Sequence, residues 1–384
     1  MAERAATCAG CGCGCDDIQV SVVAEALEGV ARTCPLGDLW FAERTADGPP
    51  PARIDGREAD LDEAIGAVVD PAGAPGDARF GTAAEAIGSS TATFGDVRDR
   101  ADVVVAWRAD PVATNPRLLP RLRLERDGRV AAGERALVVV DARRTATAEQ
   151  ADAFLQLPPE LDFEALWAIR ALVRDVQLDR DLAARLPLDA LERLAARLSA
   201  CTYGAVMHDP ALTAGYANAL ALLALVRDLA RKAHVVALPL RQDGNARGAE
   251  DVLAWQTGYP AAVCFARGNP RARHGEFSAA RLLERGETDA ALIVGFDALR
   301  QLPPGAADHL RRIPTIVVDS RATETAAAAR VAFATAAAGV QREGTAHRMD
   351  GVPVSLRAPL ASERVGDGEV LAAIEGSIVG EGGT

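Results

Sequence analysis

Val138-Val139-Val140-Asp141-Ala142-Arg143-Arg144-Thr145-Ala146-Thr147 is answered later in the chain by Ile316-Val317-Val318-Asp319-Ser320-Arg321-Ala322-Thr323-Glu324-Thr325. Each copy is a β-branched run ended by an acid. Each is preceded by an Asp-led strand, at Asp102 and at Asp289. One widely spaced pair of copies reads as domain duplication, because a solenoid needs several short repeats. A short apolar run bounded by polar residues marks a strand buried on both faces, as in a parallel sheet. An acid at its end places a carboxylate at the carboxyl edge, where it can accept hydrogen bonds from a ribose or guanine. The plainer reading, that Asp141 and Asp319 anchor turns, stands beside it.

Further strands are expected at Val103–Trp107, Ala205–Met207, His234–Leu238 and Leu292–Val294. Helical spacing runs through 165–173, 188–198 and 216–232. Strands alternating with helices imply an α/β fold with a mostly parallel sheet. Gly48-Pro49-Pro50-Pro51 breaks the chain, Leu61, Ala64, Ile65 and Val68 form an amphipathic pattern starting near Asp60, and Pro71 to Asp77 reads as a loop. The expected division is a cysteine-rich lobe at 1–50, repeat elements at 51–150 and 290–340 around a cleft, an inserted α/β domain at 151–289, and a C-terminal segment at 341–384.

The net charge of −12 argues against nucleic acid as a partner, since phosphate binding wants a basic face. The longest apolar run, Ala217 to Val226, contains Asn218 and is too short to span a bilayer. The N-terminus lacks the charged-then-apolar pattern of a secretion signal. A cytoplasmic, reducing location is expected, and with it no disulfide framework.

Four of the seven cysteines form a set: Cys8, Cys11, Cys15 and Cys34. Gly10, Gly12 and Gly14 supply the tight turns between the first three, and Cys13 lies among them. Four thiolates at this spacing can surround a [4Fe-4S] cubane. Zinc also takes four thiolates, though usually as two close pairs, and Cys34 has no close partner. A loop with no metal is the third reading. Cys201 and Cys264 sit in apolar surroundings and read as core.

The cysteine set, followed by Asp16-Asp17-Ile18, resembles the N-terminus of the B subunits of formylmethanofuran dehydrogenases, which are molybdopterin or tungstopterin oxidoreductases. Matching blocks continue at Thr93-Phe94-Gly95-Asp96-Val97, Asp110-Pro111, Asn115-Pro116-Arg117 and Val140-Asp141-Ala142-Arg143. Three more, at Trp255–Pro260, Arg267–Arg271 and Glu343–Pro353, are specific to this family. The resemblance implies duplicated Rossmann-like parallel-sheet domains of the molybdopterin oxidoreductase type, with a small N-terminal cysteine-rich lobe. It implies a [4Fe-4S] cluster on the four cysteines and two pterin nucleotides, one gripped by each half. Asp141, Arg143, Asp319, Arg321 and His347 then become candidate contacts of the pterin-nucleotide cleft.

One departure changes the functional reading. Redox members place a cysteine or selenocysteine on the metal, in the segment before the Thr93 block. Here residues 71–91 contain no cysteine, and no histidine precedes His208. A metal held only by pterin sulfurs would lack its protein thiolate. Asp77 or Glu85 would be oxygen substitutes, though their spacing does not favour it.

The formyltransferase/hydrolase complex of methylotrophic bacteria has a B-type chain that shows this kind of loss. The resemblance therefore implies a non-redox scaffold subunit, with the tungsto- or molybdopterin absent and no catalytic residue of its own. Its partners would be subunits of the A, C and D types. In such a complex a formyl group passes between tetrahydromethanopterin and a methanofuran-type carrier and is released as formate. An active tungsten or molybdenum dehydrogenase subunit is the first alternative, and an iron–sulfur electron carrier the second. Trp255 to Pro260 is expected to fill a buried domain junction, in a chain only 4% aromatic. Arg267, Arg271 and Arg273 form a basic cluster suited to cofactor phosphates or to an acidic partner, and His208 reads as a satisfied loop histidine.

Overall fold

The computed structural model describes residues 2–46, 52–59, 83, 84, 86–122, 124, 129–210, 212–241, 245–273 and 276–381. The helix expected near Asp60, the Pro71–Asp77 loop, Asp77 and Glu85 lie outside the described residues.

The protein is mixed α/β, built on two five-stranded sheets. The strands of the first are β6 (Val103–Trp107), β7 (Ala136–Asp141), β8 (Ala153–Gln156), β9 (Tyr203–His208) and β10 (His234–Pro239). Their order is β10-β9-β6-β7-β8, parallel throughout. This sheet therefore draws strands from both the 51–150 and the 151–289 stretches. In the second sheet, β13 (Ala291–Val294), β14 (Thr315–Asp319) and β15 (Val331–Ala334) run parallel. The short hairpin of β4 (Ala52–Ile54) and β5 (Arg57–Ala59) adds to β15 antiparallel, giving the order β13-β14-β15-β4-β5.

Valine runs dictate the first sheet, because both its faces are covered. Val103, Val105, Trp107, Val138 and Val140 point to one side, onto Leu166, Ile169 and Leu222 of the helices Asp162–Val173 and Tyr216–Leu229. Val104, Ala106, Val139 and Met207 point to the other, onto Phe94, Val97, Leu118 and Leu122. Cys8, Cys11, Cys13, Cys15, Ile18 and Val20 belong to that same core. The N-terminal antiparallel sheet of β1 (Ala2–Cys8), β2 (Cys15–Val23) and β3 (Ala26–Ala31) is thus packed into the body. A segment of this size has too few apolar residues for a core of its own, and borrowing the sheet's face supplies one.

Two other family blocks meet at the start of the helix Phe94–Arg100. Thr93 and Asp96 form a reciprocal capping box there, which satisfies two otherwise orphaned donors. The Phe94 N–H donates to buried Asp350 at 2.7 Å, and Arg348 forks onto the same carboxylate while lying over the Phe94 ring.

Candidate functional site

Cys8 ends β1 and Cys15 begins β2, and the two are register partners across the hairpin. Cys11 and Cys13 lie in the loop between, and Cys34 is the N-cap residue of the helix Pro35–Thr45. The loop glycines are required by what approaches them. A Cβ on Gly12 would fall 2.7 Å from the Arg241 carbonyl oxygen. Gly14 has φ +50° and would meet Arg348. The loop is also bolted down. The Gly12 N–H donates to the Arg241 carbonyl at 3.2 Å, the Met349 N–H donates to the Gly12 carbonyl at 2.8 Å, and Asn115 Nδ2 donates to the Arg241 carbonyl at 3.1 Å. Segments far apart in sequence thus converge on the cysteines.

The thiols influence one another. Burial pushes Cys8 up to about 12, and the neighbouring Cys15, Cys11 and Cys34 add to it. The Gly10 N–H donates to the Cys8 sulfur at 3.4 Å. Cys11 is held down at about 6, chiefly by the thiol of Cys13, with Asn115 and Arg121 helping, while Cys13 is driven up by the same contact. Burial raises Cys15, against the pull of Arg121 and Arg117. Those arginines are shared with Asp17. Arg117 grips it through two bonds of 2.9 and 2.6 Å, and Arg121 adds one of 2.8 Å. Burial raises Asp17, but the two guanidiniums outweigh it and hold the carboxyl at about 2.

The donor chemistry suits an iron–sulfur cluster: four thiols, a backbone N–H on one sulfur, and two guanidiniums to offset negative charge. Among the described residues, however, no three His, Cys, Asp or Glu side chains converge on one point as a metal site requires. Cys8 is the common member of the set, its thiol acted on by those of Cys15, Cys11 and Cys34.

The five cleft candidates fall into three separate groups. Asp141, at the end of β7, accepts from the Arg143 N–H at 3.3 Å, and the Arg143 side chain is exposed. Asp319, at the end of β14, is 3% exposed and receives Arg321 through Nε at 3.1 Å, Nη2 at 2.9 Å and the backbone N–H at 2.9 Å. Both acids therefore anchor turns. His347, on the hairpin strand β16 (Gly344–His347), donates its N–H to Asn245 Oδ1 at 2.8 Å and packs against Gly248. Among the described residues no hydrogen bond or ion pair joins one group to another.

Sequence reasoning missed the carboxylates that organise these edges. Asp110, after β6, accepts from Thr147 N at 3.0 Å and Thr147 Oγ1 at 2.6 Å. Asp297, after β13, accepts from Thr325 N at 3.0 Å and Thr325 Oγ1 at 2.6 Å. Thr147 and Thr325 are the final residues of the two quoted copies, and that coincidence was the available signal. A second missed residue is Arg108. It has φ +54°, a strained backbone for a residue with a side chain. Its Nε lies 2.8 Å and its Nη2 2.9 Å from the buried carboxylate of Asp162, which also accepts from Trp107 Nε1 at 2.8 Å.

Of the other residues, His208 ends β9 and is fully buried, and burial pushes it down to about 3. Trp255 corrects an expectation: it lies on the helix Ala246–Thr257 and is 86% exposed. That helix buries only Gly248, so its apolar side chains have no core to enter. Cys201 is buried just before β9 and donates to the Leu198 carbonyl. Cys264 lies on the short strand β11 (Val263–Cys264), where Arg271 donates to its sulfur at 3.5 Å.

No protein-family model matches the chain. Similar proteins do. The B subunit of tungsten-containing formylmethanofuran dehydrogenase 2 from Methanocaldococcus jannaschii is 35% identical, over 78% of this chain and 70% of that protein. The chain belongs to the family of formylmethanofuran dehydrogenase B subunits. The B subunit of the formyltransferase/hydrolase complex of Methylorubrum extorquens is 30% identical, over 60% of this chain and 61% of that protein. The crystal structure of that organism's formyltransferase/hydrolase complex with methylofuran contains a chain matching at a TM-score of 0.70. That match covers 87% of this chain and all of the other, at 24% identity, and shows the fold. Among the described residues no helix is long and apolar enough to cross a membrane.

Proposed function

We propose that this family member is a non-redox B-type chain, a scaffold in a formyltransferase/hydrolase complex. Partner subunits of the A, C and D types would carry formyl transfer from tetrahydromethanopterin to a methanofuran-type carrier and release of formate. The observation that carries the reading is where Cys201 and Cys264, the two cysteines beyond Cys34, lie. Cys201 precedes β9, at the amino edge of the first sheet, opposite the carboxyl edge that holds Asp141 and His208. Cys264 is tied to Arg271 on its own hairpin. Neither lies at the carboxyl edge of a five-stranded sheet: Cys264 sits on a separate two-stranded hairpin.

The two sheets are read here as duplicated halves of the pterin-enzyme type, supported by their matching Asp–Thr locks. Cys8, Cys11, Cys15 and Cys34 would hold a [4Fe-4S] cluster. Such a cluster supplies one-electron chemistry in redox relatives and, in this reading, a cross-link between the N-terminal sheet and the body. Exposed Trp255 and Phe265 suit burial beneath a partner chain.

The higher identity to the tungsten-containing relative favours a second reading, an active dehydrogenase subunit. Assaying the purified complex separates them. The scaffold reading expects formate release from a formylated carrier with no electron acceptor present, and no acceptor reduction. Acceptor reduction coupled to formyl oxidation overturns it.

A further inference from the structure

β6 and β13 end in the same way. The N–H of the residue after each strand donates to the neighbouring strand, Arg108 to the Val140 carbonyl and Gly295 to the Val318 carbonyl, both at 2.9 Å. Both residues have left-handed backbones, φ +54° and φ +64°. Glycine takes that conformation freely, whereas arginine is strained in it. The space beside Gly295 is open, with nothing within 4 Å of where a Cβ would lie. Beside β6 the space is filled by the Arg108 side chain.

Arg108 behaves there like a bound ligand. Two adjacent donors, Nε and Nη2, lie along one carboxylate, that of Asp162, which is 3% exposed. Nη2 also reaches the Leu157 carbonyl at 2.8 Å. Buried Nη1 has no hydrogen-bond partner and stands 3.9 Å from Asp141. Two parallel N–H groups on a carboxylate are also what the N1–H and 2-amino edge of a guanine offers. Arg143, placed after Asp141 as Arg321 is after Asp319, leaves its own side chain exposed, so each edge is served by one arginine.

We propose that Arg108 is a built-in occupant of the carboxylate crevice at the end of the first sheet, seated where the amidine edge of a guanine-type ligand would otherwise bind. The inference rests on this chain's own contacts and deepens the non-redox reading, because the Asp162 carboxylate is already taken by Trp107 Nε1 and by Arg108 Nε and Nη2. Arg108→Gly relieves the backbone and empties the crevice, leaving Asp162 stranded.

The test uses the full chain co-purified with its partner subunits. Arg108→Gly should lower the melting temperature by about 5 °C. Methylguanidinium chloride should recover most of that loss, and methylammonium chloride should not. Guanosine should raise the melting temperature of the variant and leave the wild type unchanged. Equal response to the two salts, or a guanosine shift in the wild type, overturns the proposal. Should Arg108→Gly fail to fold, the double variant Arg108→Gly/Asp162→Asn removes the stranded charge. Recovery of a folded complex insensitive to methylguanidinium supports the proposal, and failure to recover overturns it. Heavy metal in the complex alongside intact methylguanidinium rescue would sink the non-redox reading and leave the inference standing.

Discussion

The carboxyl edges of the two sheets share one lock and differ in how their acids are neutralised. In both, an aspartate two residues beyond a left-handed turn accepts from the N–H and hydroxyl of a buried threonine. In the first sheet the arginine comes from the strained turn itself and reaches a buried acid at the start of the helix Asp162–Val173. In the second it comes from two residues beyond the strand-end acid and keeps 21% of its side chain in solvent. The same turn can therefore carry very different electrostatic stakes. A guanidinium that can swing into water loses little when its partner goes, whereas one sealed in the core is stranded.

The largest expected effect follows from that contrast. Asp162→Ala should cost about 3–5 kcal/mol, because it strands Arg108 and unpairs the Trp107 indole. Asp319→Ala should cost less, since Arg321 can turn to solvent. Equal losses in denaturant titrations would erase the distinction between the edges.

A pH effect should belong to the first sheet. His208 titrates at about 3 when folded and near 6.5 when unfolded, so the unfolded chain takes up the proton first. Its contribution is intact above pH 6.5 and is lost as pH falls towards 3, by about 1.4 kcal/mol per unit. His208→Gln should flatten that limb of the stability profile, and an unchanged slope would assign it to other groups.

The shared lock predicts equality. Thr147→Val and Thr325→Val should each cost about 1–2 kcal/mol, by leaving a half-buried aspartate short of a donor. A twofold disparity would show that the locks are not equivalent. The smallest stability effect is expected at Trp255→Ala, within about 0.5 kcal/mol, because the ring touches little. Partner co-purification should nevertheless weaken, and unchanged retention would remove this face from the interface.

Strands β6, β7, β9, β10, β13 and β14 were legible as short apolar runs bounded by polar or turn residues, whereas β8 and β15, four residues each, were not. The antiparallel β4–β5 addition was not, since three-residue strands carry too little pattern. Gly10, Gly12 and Gly14 were legible as turn residues, but their deeper cause, the approach of Trp40, Arg241, Met349 and Arg348, is long-range and invisible to spacing. Asp141 and Asp319 marked the right edges while the locks lie at Asp110 and Asp297. Trp255 misled because aromatic content predicts burial only where a neighbouring element can receive the ring.

The most direct test of a non-redox role is elemental and pterin analysis of the purified complex. Tungsten, molybdenum and pterin should be far below stoichiometric, with about four irons per chain if the cysteines hold their cluster. Stoichiometric tungsten or molybdenum with pterin would contradict a scaffold role and make this chain an oxidoreductase.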